Sequence, residues 1–330
     1  MKHRHTPRRA ALQALSGTFV AAVLAGATLS PGAAMGQDYP TRPIKMLVGF
    51  SAGGGVDALA RMLGDRLAKP LGQNVVVENK PGASSTIAAN TLLASAADGY
   101  TVLLGDSSLL IAARAMQNVS FDPVKDFVPV AGVATAPLAL AVGSGSPLQS
   151  LEDMARTAKS GKPLNFATSG IGTVHHLAME HMQALAGIEL THLPYRGASA
   201  LLPDLISGTV DMGVLSAAAA MGQVKAGKIR VLGLTSPVKG TDWRAISDWL
   251  PGFDASPRLF VLAPAGTPGP VVARLESELG KLMTDPAIAE ELVKQGFVPA
   301  FRSGKEVAAD MSQELDRWTG LIRRSGIVLK

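Results

Sequence analysis

Two short runs in the sequence set glycine beside small residues just ahead of a predicted helix: Ser51-Ala52-Gly53-Gly54-Gly55 and Ser169-Gly170-Ile171-Gly172-Thr173. Backbone N–H groups at a helix start have no intrahelical partner, and with the helix dipole they attract anions. A carboxylate suits them, because it accepts several charge-assisted N–H bonds at once. Neither run holds an arginine. The charge is therefore expected to be met mainly by backbone N–H groups of residues 51–54 and 169–173, with the Ser169 and Thr173 hydroxyls and water assisting. The same glycines also fit plain tight turns. One such run in each half of the chain favours a site. Nucleotide chemistry fits less well. Gly53-Gly54-Gly55 lacks the later glycine of G-x-G-x-x-G, no Gly-Lys-Ser/Thr follows it, and His175 stands where the second run would need its third glycine.

Other chemistry-bearing residues assemble no reactive group. His175, His176, Glu180 and His181 match neither His-Glu-x-x-His nor His-x-x-Glu-His, and a third ligand is not evident, so a catalytic metal is not expected. His176 and Glu180, four residues apart, share a helix face. His176 is expected to hydrogen-bond near the pocket, with His175 and His181 in solvent. Gly105-Asp106-Ser107-Ser108-Leu109 lacks the closing glycine of a nucleophile elbow. Asp57, at a helix start, suits the helix dipole better than base chemistry. Tyr195-Arg196-Gly197 places a phenol and a guanidinium either at a cleft mouth or in a surface turn. Asp204 and Asp211 are expected to cap or brace, and Trp243, Trp249 and Trp318 to pack. With no cysteine there is no disulfide, thiolate metal site or cysteine nucleophile. No nucleophile with a base and an orienting partner can be assembled, which argues against an enzyme.

The elements that must position these residues alternate. Residues 44–48 form a short apolar run with β-branched ends. After the first glycine run, Val56, Leu59, Ala60, Leu63 and Leu67 mark one helical face. Val75-Val76-Val77 reads as a second buried strand, Pro81-Gly82 as a turn, residues 86–96 as a helix and 101–104 as a third strand. The middle of the chain repeats the theme. Ser150 and Asp153 make a capping box for a helix through Lys159. Residues 165–167 form a strand into the second glycine run, a helix covers 174–185, and strands follow at 189–193, 211–215 and 230–234. After Phe260-Val261-Leu262 the pattern turns helical. Thr267 is placed as a cap with Pro268 at the first helical position, and Ser303 with Glu306 opens a last long helix. Apolar stretches at 130–142 and 259–262 read as passages between the halves. The expected fold is α/β: a two-lobe clamp, each lobe a mainly parallel sheet flanked by helices, with the ligand cleft between lobes. Lobe I is expected at 37–138 plus 261–330 and lobe II at 139–260.

The 330 residues suffice for two such cores, and 47% hydrophobic against 17% charged residues excludes a disordered chain. The formal charge of +5 is concentrated in the first 36 residues, where Lys2, Arg4, Arg8 and Arg9 meet no acid. Without that segment 27 basic residues face 26 acidic ones, so no nucleic-acid surface is indicated. Basic residues 2–9, an apolar stretch at 19–29 and Ala34-Met35-Gly36 read as an export signal ending before Gln37. The Arg8-Arg9 pair leaves the Sec and twin-arginine routes open.

The order of motifs carries a resemblance. It runs from Tyr39-Pro40-Thr41-Arg42-Pro43-Ile44 through Phe50-Ser51-Ala52-Gly53-Gly54-Gly55-Val56-Asp57, Val77-Glu78-Asn79-Lys80-Pro81-Gly82-Ala83 and Asp98-Gly99-Tyr100-Thr101. Phe121-Asp122-Pro123-Val124-Lys125-Asp126-Phe127, the second glycine run with His176-Leu177, His192-Leu193-Pro194-Tyr195-Arg196-Gly197 and Ala263-Pro264-Ala265-Gly266-Thr267-Pro268 complete it. The mature chain thereby resembles the solute-binding receptors of tripartite tricarboxylate transporters, the Bug or TctC family. The resemblance implies a periplasmic, non-enzymatic, two-lobe receptor for a small carboxylate, without cofactor or metal. It implies a ligand pocket of Phe50, Ser51, Ala52, Gly53 and Gly54, with Ser84 and Ser108 from neighbouring loops and Ser169, Gly170, Thr173, His176 and Tyr195 from the second lobe. The implied partners are the membrane components of a transporter, or a sensor protein if the receptor is an orphan, and the implied state is a monomer. An enzyme acting on small acids on the same fold is the remaining alternative. Ser84-Ser85 stand where the family usually has glycines after Pro-Gly-Ala.

Overall fold

The computed structural model describes residues 39–115, 119–195 and 197–325. The segment read as an export signal and Arg196 lie outside the described residues. From Pro40 onward the chain forms one compact unit. In chain order, β1 (Ile44–Val48), α1 (Gly55–Leu71), β2 (Val75–Asn79), α2 (Thr86–Leu93), β3 (Thr101–Asp106), α3 (Ser107–Ala115) and β4 (Phe127–Thr135) come first. Next are β5 (Leu138–Gly143), α4 (Leu151–Lys159), β6 (Asn165–Thr168), α5 (Val174–Ala186), β7 (Thr191–Pro194), α6 (Ala198–Ser207), β8 (Met212–Ser216), α7 (Ala217–Lys225) and β9 (Ile229–Leu234). The last part holds α8 (Ile246–Trp249), β10 (Arg258–Pro264), α9 (Gly269–Met283), α10 (Pro286–Lys294), β11 (Val298–Ser303) and α11 (Gly304–Ser325). None of the described helices is long and apolar enough to cross a membrane.

Two sheets result, with strand orders β11-β4-β10-β3-β1-β2 and β7-β6-β8-β5-β9. Both are mixed rather than mainly parallel. β1 pairs β2 and β3 in parallel, and β6 pairs β7 and β8 in parallel. β10, β4 and β11 join their neighbours antiparallel, as β5 joins β8 and β9. The physical reason lies in the connections. A parallel neighbour needs a crossover, supplied by α1 or α5, whereas strands that carry the chain between lobes have no such constraint. β2 is also not buried: it is a sheet edge, and Val76 is 54% exposed.

The apolar stretches expected as passages are strands, and the passages themselves are shorter. The chain leaves the first sheet at Thr135 and enters the second at Leu138. It returns beside the same point, where the Ala136 N–H donates to the Pro257 carbonyl at 2.8 Å. Thr235 Oγ1 accepts from the Leu138 N–H at 2.9 Å and lies 2.8 Å from Ser256 Oγ. Thr267 does not cap α9: its hydroxyl donates to the Pro264 carbonyl, and Pro268 is the N-cap residue. The capping box at Ser303 and Glu306 forms, whereas at Ser150 only the N-cap half does: Ser150 Oγ accepts from the Asp153 N–H, and the Asp153 carboxylate accepts from the Gln149 N–H rather than that of Ser150.

The C-terminal helix is not a tail. Val307, Met311 and Leu315 pack into a cluster with Leu47, Leu103 and Leu262 of the first sheet. Trp318, Leu321 and Ile322 pack with Phe166, Met212 and Val214 of the second. Repeats at three and four residues carry one apolar stripe from one core into the other.

Candidate anion-binding cleft

Both glycine runs sit where a parallel strand ends and a helix begins, the first after β1 and the second after β6. Ligands of open α/β sheets bind at such carboxyl ends. The lobes touch there. Ser84 Oγ donates to the Ile171 carbonyl at 3.4 Å, and the Val174 N–H, in the first turn of α5, donates to Ser108 Oγ at 3.3 Å. The structure therefore brings Ser84 and Ser108 against the second loop, while a Cβ on Gly55, at the end of the first loop, would lie 4.0 Å from Ser216 Oγ of the second sheet.

The first loop is held from beneath by Asp57. This buried carboxylate accepts from the Gly53 N–H at 2.9 Å, Asn79 Nδ2 at 2.9 Å and Arg61 Nε at 3.1 Å. Burial works to raise its pKa, but the bonds from Arg61, Gly53 and Asn79 outweigh it and hold the group below its ordinary value. Asn79 also donates to the Phe50 carbonyl at 3.0 Å. Asp57 is thus a loop anchor, and the Gly53 and Gly54 N–H groups are already spent, the latter on the Ser51 carbonyl. The Ser51 and Ala52 amides of the first loop and the Ile171 and Thr173 amides of the second take no partner among the described residues.

The second loop rests on three stacked rings. The His176 and His192 centroids are 3.9 Å apart at 13°, and Phe166 lies 4.9 Å beyond His192. His176 Nδ1 accepts from the Gly172 N–H at 3.3 Å, and its Nε2 is 3.4 Å from Glu180. His192 Nε2 is 2.7 Å from Thr168 Oγ1, which donates to the Gly170 carbonyl. Thr173 donates to the same carbonyl and caps α5 by accepting from the His176 N–H. Burial, with the neighbouring His176, pushes the His192 imidazole down to about 4.

Several expected contributions are redirected. Both His176 nitrogens are engaged within the second lobe. The Tyr195 phenol donates to Asp204 at 2.6 Å, a bond that raises its pKa, and so braces α6. His175 and His181 are half-buried rather than in solvent, because α5 packs that face inward; His181 stacks on Phe253. Asp211 and Asn165 exchange backbone-to-side-chain bonds, a brace as expected. No described group of three or more ligating side chains has the geometry of a metal site.

Sequence reasoning missed Asn79, Thr168, His192 and Asp106 as parts of this site. Asn79 and His192 stand within recognised motifs, yet their partners lie 22 to 24 residues away, where spacing carries no signal. Asp106, at the end of β3, accepts from the N–H and hydroxyl of Ser108. Burial raises its pKa to about 7, against those bonds and with Glu314 adding to the effect. A separate cavity of about 310 Å³ lies against α11, lined in part by Arg258, Arg302, Asp310 and Glu314. Its arginines are already paired, Arg302 with Asp310 and Arg258 with Glu314, so it offers no unmatched charge.

Comparison with known proteins agrees with this fold. The chain is 32% identical over 327 residues to protein BugT of Bordetella pertussis, covering 97% of this chain and 98% of that one. A solved R. palustris protein with adipate superposes with a TM-score of 0.82 at 30% identity, over 88% of this chain and 99% of that one. MatC from Rhodopseudomonas palustris with bound malate gives 0.77 at 28%, over 86% and 100%. The family model for the tripartite tricarboxylate transporter family receptor, TctC, matches residues 59–327, and the chain belongs to that family.

Proposed function

We propose that this chain is a periplasmic solute-binding receptor that captures a small carboxylate by lobe closure and hands it to the membrane components of a tripartite transporter. The observation that carries the reading is the pair of strand-to-helix loops, one per sheet, each with unpartnered amides, together with the bonds of Ser84 and Ser108 to the second loop. Amides at helix starts meet a carboxylate without a counter-charge. The division into lobes at 37–138 plus 261–330 and at 139–260 follows the two sheets except at its edges, since Leu138 belongs to β5 of the second sheet and residues 258–260 to β10 of the first, and the basic-then-apolar N-terminus supports export. The pocket proposed is Phe50, Ser51, Ala52, Gly53, Gly54, Ser84, Ser108, Ser169, Gly170 and Thr173, with His176 and Tyr195 behind them. Adipate and malate, found with two relatives, are the first compounds to try.

A thermal-shift screen of purified mature protein against aliphatic and aromatic carboxylates tests the reading. A ligand at a hundred times its Kd adds about 2.7 kcal/mol of stability. At least one acid should raise the melting temperature and be recovered unchanged after long incubation. A screen in which no carboxylate moves the transition sinks the receptor reading, and consumption of the bound acid would make the protein an enzyme.

A further inference from the structure

The two lobes use one local device with two different acceptors. In the first, Gly53, at φ 80°, precedes the N-cap Gly54, and its N–H donates to Asp57 four residues on, in the first turn of α1. In the second, Gly172, at φ 72°, precedes the N-cap Thr173, and its N–H donates to His176 four residues on, in the first turn of α5. The glycine, the cap and the acceptor stand in the same register in both. Each acceptor fixes the loop's left-handed corner and so decides where the neighbouring amides point. We propose that Asp57 and His176 are matched positioning residues, and that only the second-lobe copy is proton-sensitive, so that anion capture weakens on acidification.

The geometry fixes the sign. Nδ1 of His176 accepts an N–H, so that nitrogen must carry no proton, and Nε2 carries the hydrogen that faces Glu180. Protonation turns Nδ1 into a donor facing a donor, and the Gly172 corner must move. Imidazole is the side chain whose charge ordinarily changes between about pH 5 and 8. Asp57 stays ionised throughout that range, because Arg61 and Asn79 hold its charged form. The titratable groups facing His176 are Glu180 on its own helix and His192 on β7, which stacks against it and resists a second positive charge. β6 presents Phe166 and Thr168, α3 reaches the start of α5 through Ser108 with Asp106 behind it, and α11 brings Trp318, Leu321 and Ile322 to the same core.

This inference rests on the receptor reading for its effect on affinity, but its first test needs no ligand. In the ligand-free mature protein, the Gly172 amide resonance should move together with the His176 ring signals as the pH is lowered, while Gly53 stays still. The ring nitrogen Nδ1 should be unprotonated at the alkaline end. Adipate and malate affinities, measured by calorimetry at descending pH, should fall as the His176 ring takes up its proton, and fall further than in a variant that lacks the ring. His176→Asn, whose side-chain oxygen takes the place of Nδ1, should flatten the ratio of affinities between the alkaline and acid ends. A Gly172 amide that ignores the ring's titration overturns the proposal. So does binding that tightens on acidification, since the imidazolium would then meet the anion itself. If neither acid binds at any pH the receptor reading fails, and the amide titration still decides the loop's proton linkage.

Discussion

At the scale of single residues, the cleft wall carries a strained turn. Ala83, Ser84 and Ser85 have φ of 45°, 52° and 72°, three consecutive non-glycine residues in the left-handed region. Each costs roughly 1 kcal/mol or more relative to a right-handed conformation. Ser85 is buried, its hydroxyl has no partner, and its Cβ and Oγ lie where a side chain on Gly49 would be. Ser85→Gly relieves both the strain and the unsatisfied hydroxyl, offset in part by the freer unfolded chain. It is expected to stabilise the protein by about 1 kcal/mol, read from denaturant unfolding. Asp106 makes the opposite kind of prediction. Its carboxyl is raised to about 7 in the folded protein, so folding favours its protonated form. Its penalty is absent below the ordinary carboxylate range, grows as pH rises through that range, and is complete above about 7. Asp106→Asn, which keeps an acceptor for the Ser108 N–H, should raise the melting temperature at about pH 8 and leave it nearly unchanged at about pH 4. Equal effects at both values would mean that the group ionises without penalty.

At the scale of elements, α11 is the piece that joins two cores. Its first half belongs to the cluster under the first sheet, and Trp318, only 1% exposed, belongs to the second. Between them Glu314 pairs with Arg258 at the start of β10, and Arg317 reaches Asp254 in the return passage. Trp318→Ala is expected to cost about 3–5 kcal/mol, the range for truncating a buried aromatic. Because the helix serves both cores, differential scanning calorimetry should find one cooperative transition moved down as a whole. Two separated transitions would mean that the lobes unfold independently of α11.

At the scale of the whole molecule, the lobes also meet beside the first loop, where a Cβ on Gly55 would lie 3.5 Å from the Phe297 ring and 4.0 Å from Ser216 Oγ. Gly296, in the turn before β11, has φ 79°, and a Cβ there would lie 2.6 Å from the backbone nitrogen of Ala218 at the start of α7. Gly296→Ala therefore combines a left-handed penalty with a backbone clash between lobes. Small-angle scattering should find the variant more extended than the parent when a saturating carboxylate is present, with weaker binding in calorimetry. A variant that compacts as the parent does would show that the two lobes close without this contact.

The sequence by itself determined much of this. The strand-to-helix runs, the helix faces, the N-cap at Ser150, the capping box at Ser303 and the two glycine loops were legible, because each rests on residues within a few positions of one another. The ordered motifs identified the family. The mixed sheets, the exposed β2 edge and the α11 bridge were not legible, since hydrophobic periodicity reports which face is buried and not which partner buries it. The same limit applied in the cleft. Asp57 and His176 were visible as residues near helix starts, but that each holds a left-handed glycine, and that His192, Thr168 and Asn79 complete the support, was decided only by tertiary structure. Those partners lie 22 to 24 residues apart along the chain, and only the packing of neighbouring strands brings them within hydrogen-bonding distance.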